Sequence, residues 1–156
     1  MVANVPSGKL VALDLGEAYT GVAISDPGAS LARPLEVIPS DRLTEYLGTL
    51  LSKEDIVKVL VGVPKTLKGE VGFQAEWVLD KLDVLRETFP AVPFMEWDER
   101  LTTRLARSTQ SESRSRSRST RRKGRAKERV DHLAAAGMLQ EYLDRRESLE
   151  ATRRGP

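Results

Sequence analysis

Apolar positions along this chain follow two rhythms, and their alternation predicts the order of its elements. Residues 9–15 are an almost unbroken apolar run, as in a strand covered on both faces. Gly16-Glu17-Ala18-Tyr19 reads as a turn into a second strand, Thr20 to Ser25, and so short a link implies an antiparallel hairpin. Asp26-Pro27-Gly28 then turns the chain toward a third strand, Leu35 to Ile38. Beyond it Ser40 is suited to N-cap a helix with Leu43, Leu47, Leu50 and Leu51 on one face. Ile56 to Val63 is a buried strand stopped by Pro64. After a Gly-containing loop, the spacing of Phe73, Trp77, Val78, Leu82, Leu85 and Phe89 predicts a long helix with those residues inward. Residues 92–97 make a fifth strand, Leu101 to Ala106 begin a helix, and Glu128 to Arg146 form the last one.

The order β-β-β-α-β-α-β-α-α predicts an α/β fold. An antiparallel meander feeding two right-handed parallel crossovers gives a mixed five-stranded sheet flanked by helices, the layout of ribonuclease-H-like domains. Residues 1–146 are expected to form one such domain, with a mobile basic loop at 107–129 and a disordered tail at 147–156.

Composition agrees with one domain. A chain of 156 residues, 40% hydrophobic and 31% charged, is long enough for a single core and short for two. The absence of cysteine removes disulfides and thiolate zinc sites. The start of the chain lacks the features of a secretory signal, and no apolar run approaches the roughly 20 residues that cross a bilayer. The expectation is a cytoplasmic protein with no membrane partner.

Charge is unevenly spread. Between Arg107 and Arg129 stand ten Lys/Arg and two acids, a local charge of +8 in a chain of net +2, which leaves −6 elsewhere. Ser108 to Arg125 is largely a Ser/Arg repeat that cannot bury apolar surface. A basic segment on an acidic body suits docking of a polyanion, or equally a solvated loop without a partner.

Three carboxylates stand where carboxylates are costly. Asp14 ends the first apolar run, Asp98 ends the fifth strand, and Asp131 lies in the stripe Val130, Ala134, Met138, Tyr142. At 100° per residue Asp131 falls between Met138 and Tyr142, toward the edge of that face. Carboxylates on separate elements can together hold two divalent cations, Mg²⁺ or Mn²⁺, roughly 3.5–4 Å apart, the arrangement that hydrolyses phosphodiesters. Asp14 would bridge both ions, Asp98 would sit beside it and Asp131 would close the site. Each residue also has a structural reading: Asp14 as a turn former, Asp98 as a helix N-cap, and Asp131 as an ion-pair partner of Arg125 or Arg129. His132 is on the polar side of the stripe and reads as a surface residue. Arg100, Thr102 and Thr103 begin a helix whose N-terminus can attract phosphate.

These residues carry a family resemblance. Ala12-Leu13-Asp14-Leu15-Gly16 with Gly21-Val22-Ala23-Ile24-Ser25-Asp26 resembles the opening motif of the YqgF/RuvX family, as does Val61-Gly62-Val63-Pro64 with Gly69 and Gly72-Phe73-Gln74-Ala75. Asp98-Glu99-Arg100-Leu101-Thr102-Thr103 is similar to that family's most distinctive signature, and Val130 to Ala135 with Leu139 to Asp144 is similar to its final helix. The resemblance implies a ribonuclease-H-like, metal-dependent nuclease with its acidic triad on Asp14, Asp98 and Asp131 and Glu99 as neighbour or substitute. It also implies a nucleic-acid partner, precursor 16S ribosomal RNA or branched DNA, with the ribosome or its precursors as a further partner. Arg121, Arg122, Lys123, Arg125 and Lys127 are the basic residues expected to contact that nucleic acid. The chain departs from the pattern in two places. Family members carry basic residues after the first Gly where this chain has Glu17-Ala18-Tyr19-Thr20, and the helix after Thr103 gives way to Ser/Arg repeats.

Four functions compete. The first is 5′-end processing of precursor 16S rRNA, and the second is junction-resolving cleavage of DNA, which favours a two-fold dimer. The third is a non-catalytic RNA-binding role in ribosome assembly. The fourth is a sugar-kinase-like or actin-like phosphate site at Asp14-x-Gly16 with Thr20-Gly21, for which the chain is too short.

Overall fold

A computed structural model describes residues 8–64, 72–98 and 122–153, with side chains over 133–148 in the last segment. Among the described residues, five strands and three α-helices follow one another as β1 (Lys9–Leu15), β2 (Tyr19–Ser25), β3 (Ala32–Pro39), α1 (Leu43–Lys53), β4 (Ile56–Val63), α2 (Phe73–Thr88), β5 (Phe94–Asp98) and α3 (Arg122–Arg153). The sheet order is β3-β2-β1-β4-β5. β1 pairs antiparallel with β2, and β2 with β3, while β1–β4 and β4–β5 are parallel. This is the mixed five-stranded sheet that the apolar pattern predicts.

Each face of the sheet is covered. On one, Val11, Leu13, Val22, Ile24, Val59 and Val61 pack with Leu43 and Leu47 of α1 and Val78, Leu82 and Leu85 of α2. On the other, Leu10, Ala12, Ala23, Leu60 and Trp97 pack with Ala135, Met138, Leu139 and Leu143 of α3. Strands buried on both faces read as continuous apolar runs because successive side chains serve opposite cores.

Four local features differ from the sequence pattern. β3 is longer than Leu35–Ile38, because its ladder with β2 runs from the Ser25–Ala32 pair to the Tyr19–Pro39 pair. As an edge strand it tolerates Pro34 and Pro39, and its register shifts beside Pro34 in a bulge. Ser40 does not cap α1: it opens a 3₁₀ turn, Ser40–Arg42, and Arg42 precedes the helix without a side-chain cap. Phe73 is 85% exposed, since the buried stripe of α2 is Ala75, Val78, Leu82 and Leu85. A residue two before Ala75 falls roughly 200° around the helix.

The last helix is also longer than Glu128–Arg146. It begins at Arg122, inside the segment expected to be a loop, and runs through Arg153, over positions expected to be a tail. Residues 122–129 contain Lys, Arg, Ala and Glu, good helix formers, so the charge that argues against burial does not argue against helix. The buried stripe of α3 is Ala135, Met138, Leu139 and Leu143, with Tyr142 half-buried; Ala134 is half-buried beside it. The helix expected from Leu101 lies outside the described residues.

Candidate functional site

The C-terminal ends of the parallel strands β1, β4 and β5 share one edge of the sheet, where open α/β folds place their ligands. Asp14 is the penultimate residue of β1 and is half-buried. Its row is fixed by pairing. Ala12 pairs with Ala23 and packs toward α3, and Asp14, two residues on, pairs with Gly21 on that same side. On its other flank the β1–β4 register ends with Leu13–Val61, so Asp14 comes level with Gly62. Gly62 pairs in turn with Trp97.

The row therefore reads Gly21, Asp14, Gly62, Trp97. Glycines flank Asp14 in this row, and Trp97 lies beyond Gly62. That indole stands edge-on to Tyr142 at 5.9 Å, with the Arg145 guanidinium 5.7 Å over its ring. A strand-end carboxylate supplies the hard oxygen donor that a small divalent cation takes.

The turn after Asp14 is held in place. Gly16 N–H donates to the Tyr19 carbonyl at 3.0 Å, and a side chain at Gly16 would run into that same oxygen. From the end of β3, Ser40 Oγ donates to the Gly16 carbonyl at 2.6 Å and Ser40 N–H to the Ala18 carbonyl at 2.9 Å. The buried Thr20 hydroxyl lies 2.9 Å from Ser40 Oγ. Ser40 has one hydroxyl proton, given to Gly16, so Thr20 donates to Ser40.

Asp98 pairs with Val63, and Val63 packs toward α1 and α2. Glu96, two residues earlier on the same side, stands 4.0 Å from Arg86 of α2. The pleat thus assigns Asp98 to the face opposite Asp14, two strand spacings or about 10 Å across the sheet. Asp131 belongs to α3, four residues before buried Ala135 and seven before buried Met138, and its side chain lies outside the described residues.

Glu99, Arg100, Thr102, Thr103 and Arg121 also lie outside them. Arg122, Lys123, Arg125 and Lys127 occupy the first turns of α3, again without described side chains. Among the described residues no three His, Cys, Asp or Glu side chains gather as a metal-binding group. Gly21, Gly62, Ser40 and Tyr19 are residues that residue chemistry alone does not single out as a site. The pairing of Asp14 with Gly21 could have been counted through the hairpin, but the level of Gly62 needs the parallel register.

A family model described as RuvX, Holliday junction resolvase, matches residues 8–145. The chain belongs to the RuvX family. It is 55% identical over 139 residues to a protein of Rubrobacter xylanophilus named as a candidate pre-16S rRNA nuclease, covering 89% of this chain and 94% of that one. A Desulforamulus reducens protein of the same name is 35% identical over 139 residues, covering 87% and 96%. Among solved structures, Thermus thermophilus RuvC in complex with a Holliday junction substrate superposes with a TM-score of 0.53. At 16% identity over 90% of this chain and 96% of that one, the likeness is one of fold. The RuvX chain thus has the α/β sheet of RuvC. Among its described residues no helix is long and apolar enough to cross a membrane.

Proposed function

We propose that this RuvX protein is a divalent-metal-dependent nuclease that trims the 5′ end of precursor 16S rRNA. The observation that carries the reading is Asp14, a strand-end carboxylate between two glycines at the edge where three parallel strands end. The names of its relatives support the substrate.

Asp14, Asp131 and a carboxylate from the end of β5 would hold the metal. When bound, the cation would lower the pKa of an attacking water and offset charge on the leaving oxygen. Helix α3 carries Asp131 and packs on the Asp14 side of the sheet through Ala135, Met138 and Leu139, which supports Asp131 as a member of this set.

The chain's own residues have two further tasks. The turn clamped by Ser40 and Thr20 keeps the Asp14 end of β1 from shifting as substrate binds. The basic positions Arg122, Lys123, Arg125 and Lys127, now on a helix, offer phosphate contacts leading into Asp131, with Arg121 and the Ser/Arg segment before them. Processing of precursor rRNA would place the protein in the cytoplasm, with ribosome precursors as partners.

The family description favours a second reading, cleavage of four-way DNA junctions. Purified protein with Mg²⁺ or Mn²⁺ should be assayed on a 5′-extended 16S fragment and on a four-way junction, with Asp14→Asn as control. The proposal expects cleavage of the RNA, lost in Asp14→Asn with the fold retained. Cells depleted of the protein should then accumulate 5′-extended 16S precursor; correct ends with defective recombination would favour the junction reading.

A further inference from the structure

Eight aromatic residues occur in the chain, and the two whose side chains are exposed both belong to the edge that carries Asp14. Tyr19 is 42% exposed and Phe73 is 85% exposed. Neither joins either apolar core.

Tyr19 opens β2, two residues before Gly21, and so shares the α3-facing side with the Asp14–Gly21 pair. A diagonal neighbour of that kind lies about 7–8 Å away across the ladder. Its backbone is fixed, since its carbonyl accepts from Gly16 and its strand pairs it with Pro39. Phe73 opens α2, which leaves the end of β4 on the opposite face of the sheet. The link between them carries Lys65 and Lys68 in its sequence. Two rings thus stand at the strand ends, one toward each face of the sheet.

Leaving a phenyl ring in water forgoes roughly 1.5–3 kcal/mol of burial. A partner that covers an exposed Phe at a site edge would recover that burial. At an edge proposed to receive a polyanion, the partner that offers flat π-faces is an unpaired nucleobase, and stacking on a side-chain ring is tolerant of sequence. Bases inside a duplex are already stacked and present no free face.

We infer that Tyr19 and Phe73 are stacking platforms for unpaired bases on either side of the scissile region, and that the chain takes its RNA single-stranded there. This rests on the nuclease reading and adds the form of the substrate. The double variant Tyr19→Leu/Phe73→Leu keeps apolar bulk and removes both rings, whereas Tyr19→Phe/Phe73→Tyr keeps both. Binding is measured with the full chain in metal-free buffer, using a 12-nucleotide RNA, its duplex and an abasic strand of equal length.

The expected result is a Kd for the single strand raised about tenfold or more in the double-Leu variant, in keeping with loss of base–aromatic stacking. The ring-retaining variant should bind as wild type, the abasic strand should not distinguish the three proteins, and wild type should prefer the single strand to the duplex. Unchanged binding by the double-Leu variant overturns the inference, as does an equal loss on the abasic strand. Adding Mn²⁺ to the same RNA reads out cleavage separately. Ring-dependent binding without cleavage would sink the nuclease reading alone, and cleavage with ring-independent binding would sink this one alone.

Discussion

Ser40 holds Gly16 across 24 positions of sequence, its hydroxyl donating to the Gly16 carbonyl at 2.6 Å. The bond ties the residue that follows β3 to the turn after Asp14, and Thr20 completes it from within β2. Removing the hydroxyl leaves a part-buried carbonyl and the Thr20 hydroxyl each short of a partner. Ser40→Ala should cost about 1–3 kcal/mol in thermal or urea unfolding. If the clamp positions Asp14, kcat should also fall while KM for RNA stays near wild type, and Ser40→Thr should recover both. A loss of stability with unchanged kcat would reduce Ser40 to a structural tie.

Gly62 tests whether the position beside Asp14 matters to the metal. It sits between Asp14 and Trp97 in the α3-facing row. Gly62→Ala should leave the metal-free protein folded, with at most the 1–3 kcal/mol cost of crowding a packed layer. Its affinity for Mn²⁺, followed as the rise in Tm on adding metal, should drop on the order of tenfold. An undiminished rise would mean that the cation does not sit in that row.

The strands and their order were legible because each buried strand is an apolar run and each link has the length its geometry demands. Chemistry by residue type was legible too, since Asp14 is an acid in an apolar run. What escaped is what depends on register. That Asp98 ends an apolar run says nothing of the face it takes, which depends on its pairing with Val63. Ser40 before a leucine stripe has the signature of a helix cap, yet the Gly16 carbonyl, distant in sequence, claimed its hydroxyl. Phe73 fits a helical stripe by eye, but Ala75, small and inconspicuous, begins the buried one.

Acid stability should depend on a site at the opposite edge of the sheet. Asp26 accepts from the Leu31 and Ser30 amides, each at 2.8 Å, and from the Ser30 hydroxyl at 2.9 Å. These bonds, the Leu31 amide foremost, pull its carboxyl down to about 2. A carboxyl held below its ordinary 3.8 stabilises the fold fully above that value and loses the contribution as pH falls from 3.8 toward about 2. Asp26→Asn should flatten the fall of Tm across that window and lower Tm at neutral pH. Cleavage at neutral pH should be untouched, because the loop is remote from Asp14. An acid limb identical to wild type would show the bonds to be too solvated to matter.

The pleat of β5 makes the sharpest test of the site. Met95 and Trp97 pack toward α3, the side of Asp14, whereas Phe94 packs toward α2 and Glu96 approaches Arg86 there. Asp98 continues the second series, and Glu99, the adjacent acid in the sequence, lies outside the described residues. The expected outcome is that Glu99, rather than Asp98, joins Asp14 at the metal. Asp98→Asn should reduce cleavage by no more than about 10–100-fold, the range for groups that orient ligands from outside. Glu99→Gln should fall below that range and abolish the Tm rise with Mn²⁺, as Asp14→Asn does. Calorimetric titration of Mn²⁺ into the two variants separates binding from rate. If Asp98→Asn were the variant that lost the metal and Glu99→Gln kept it, the strand end would have to twist by one residue for Asp98 to face Asp14.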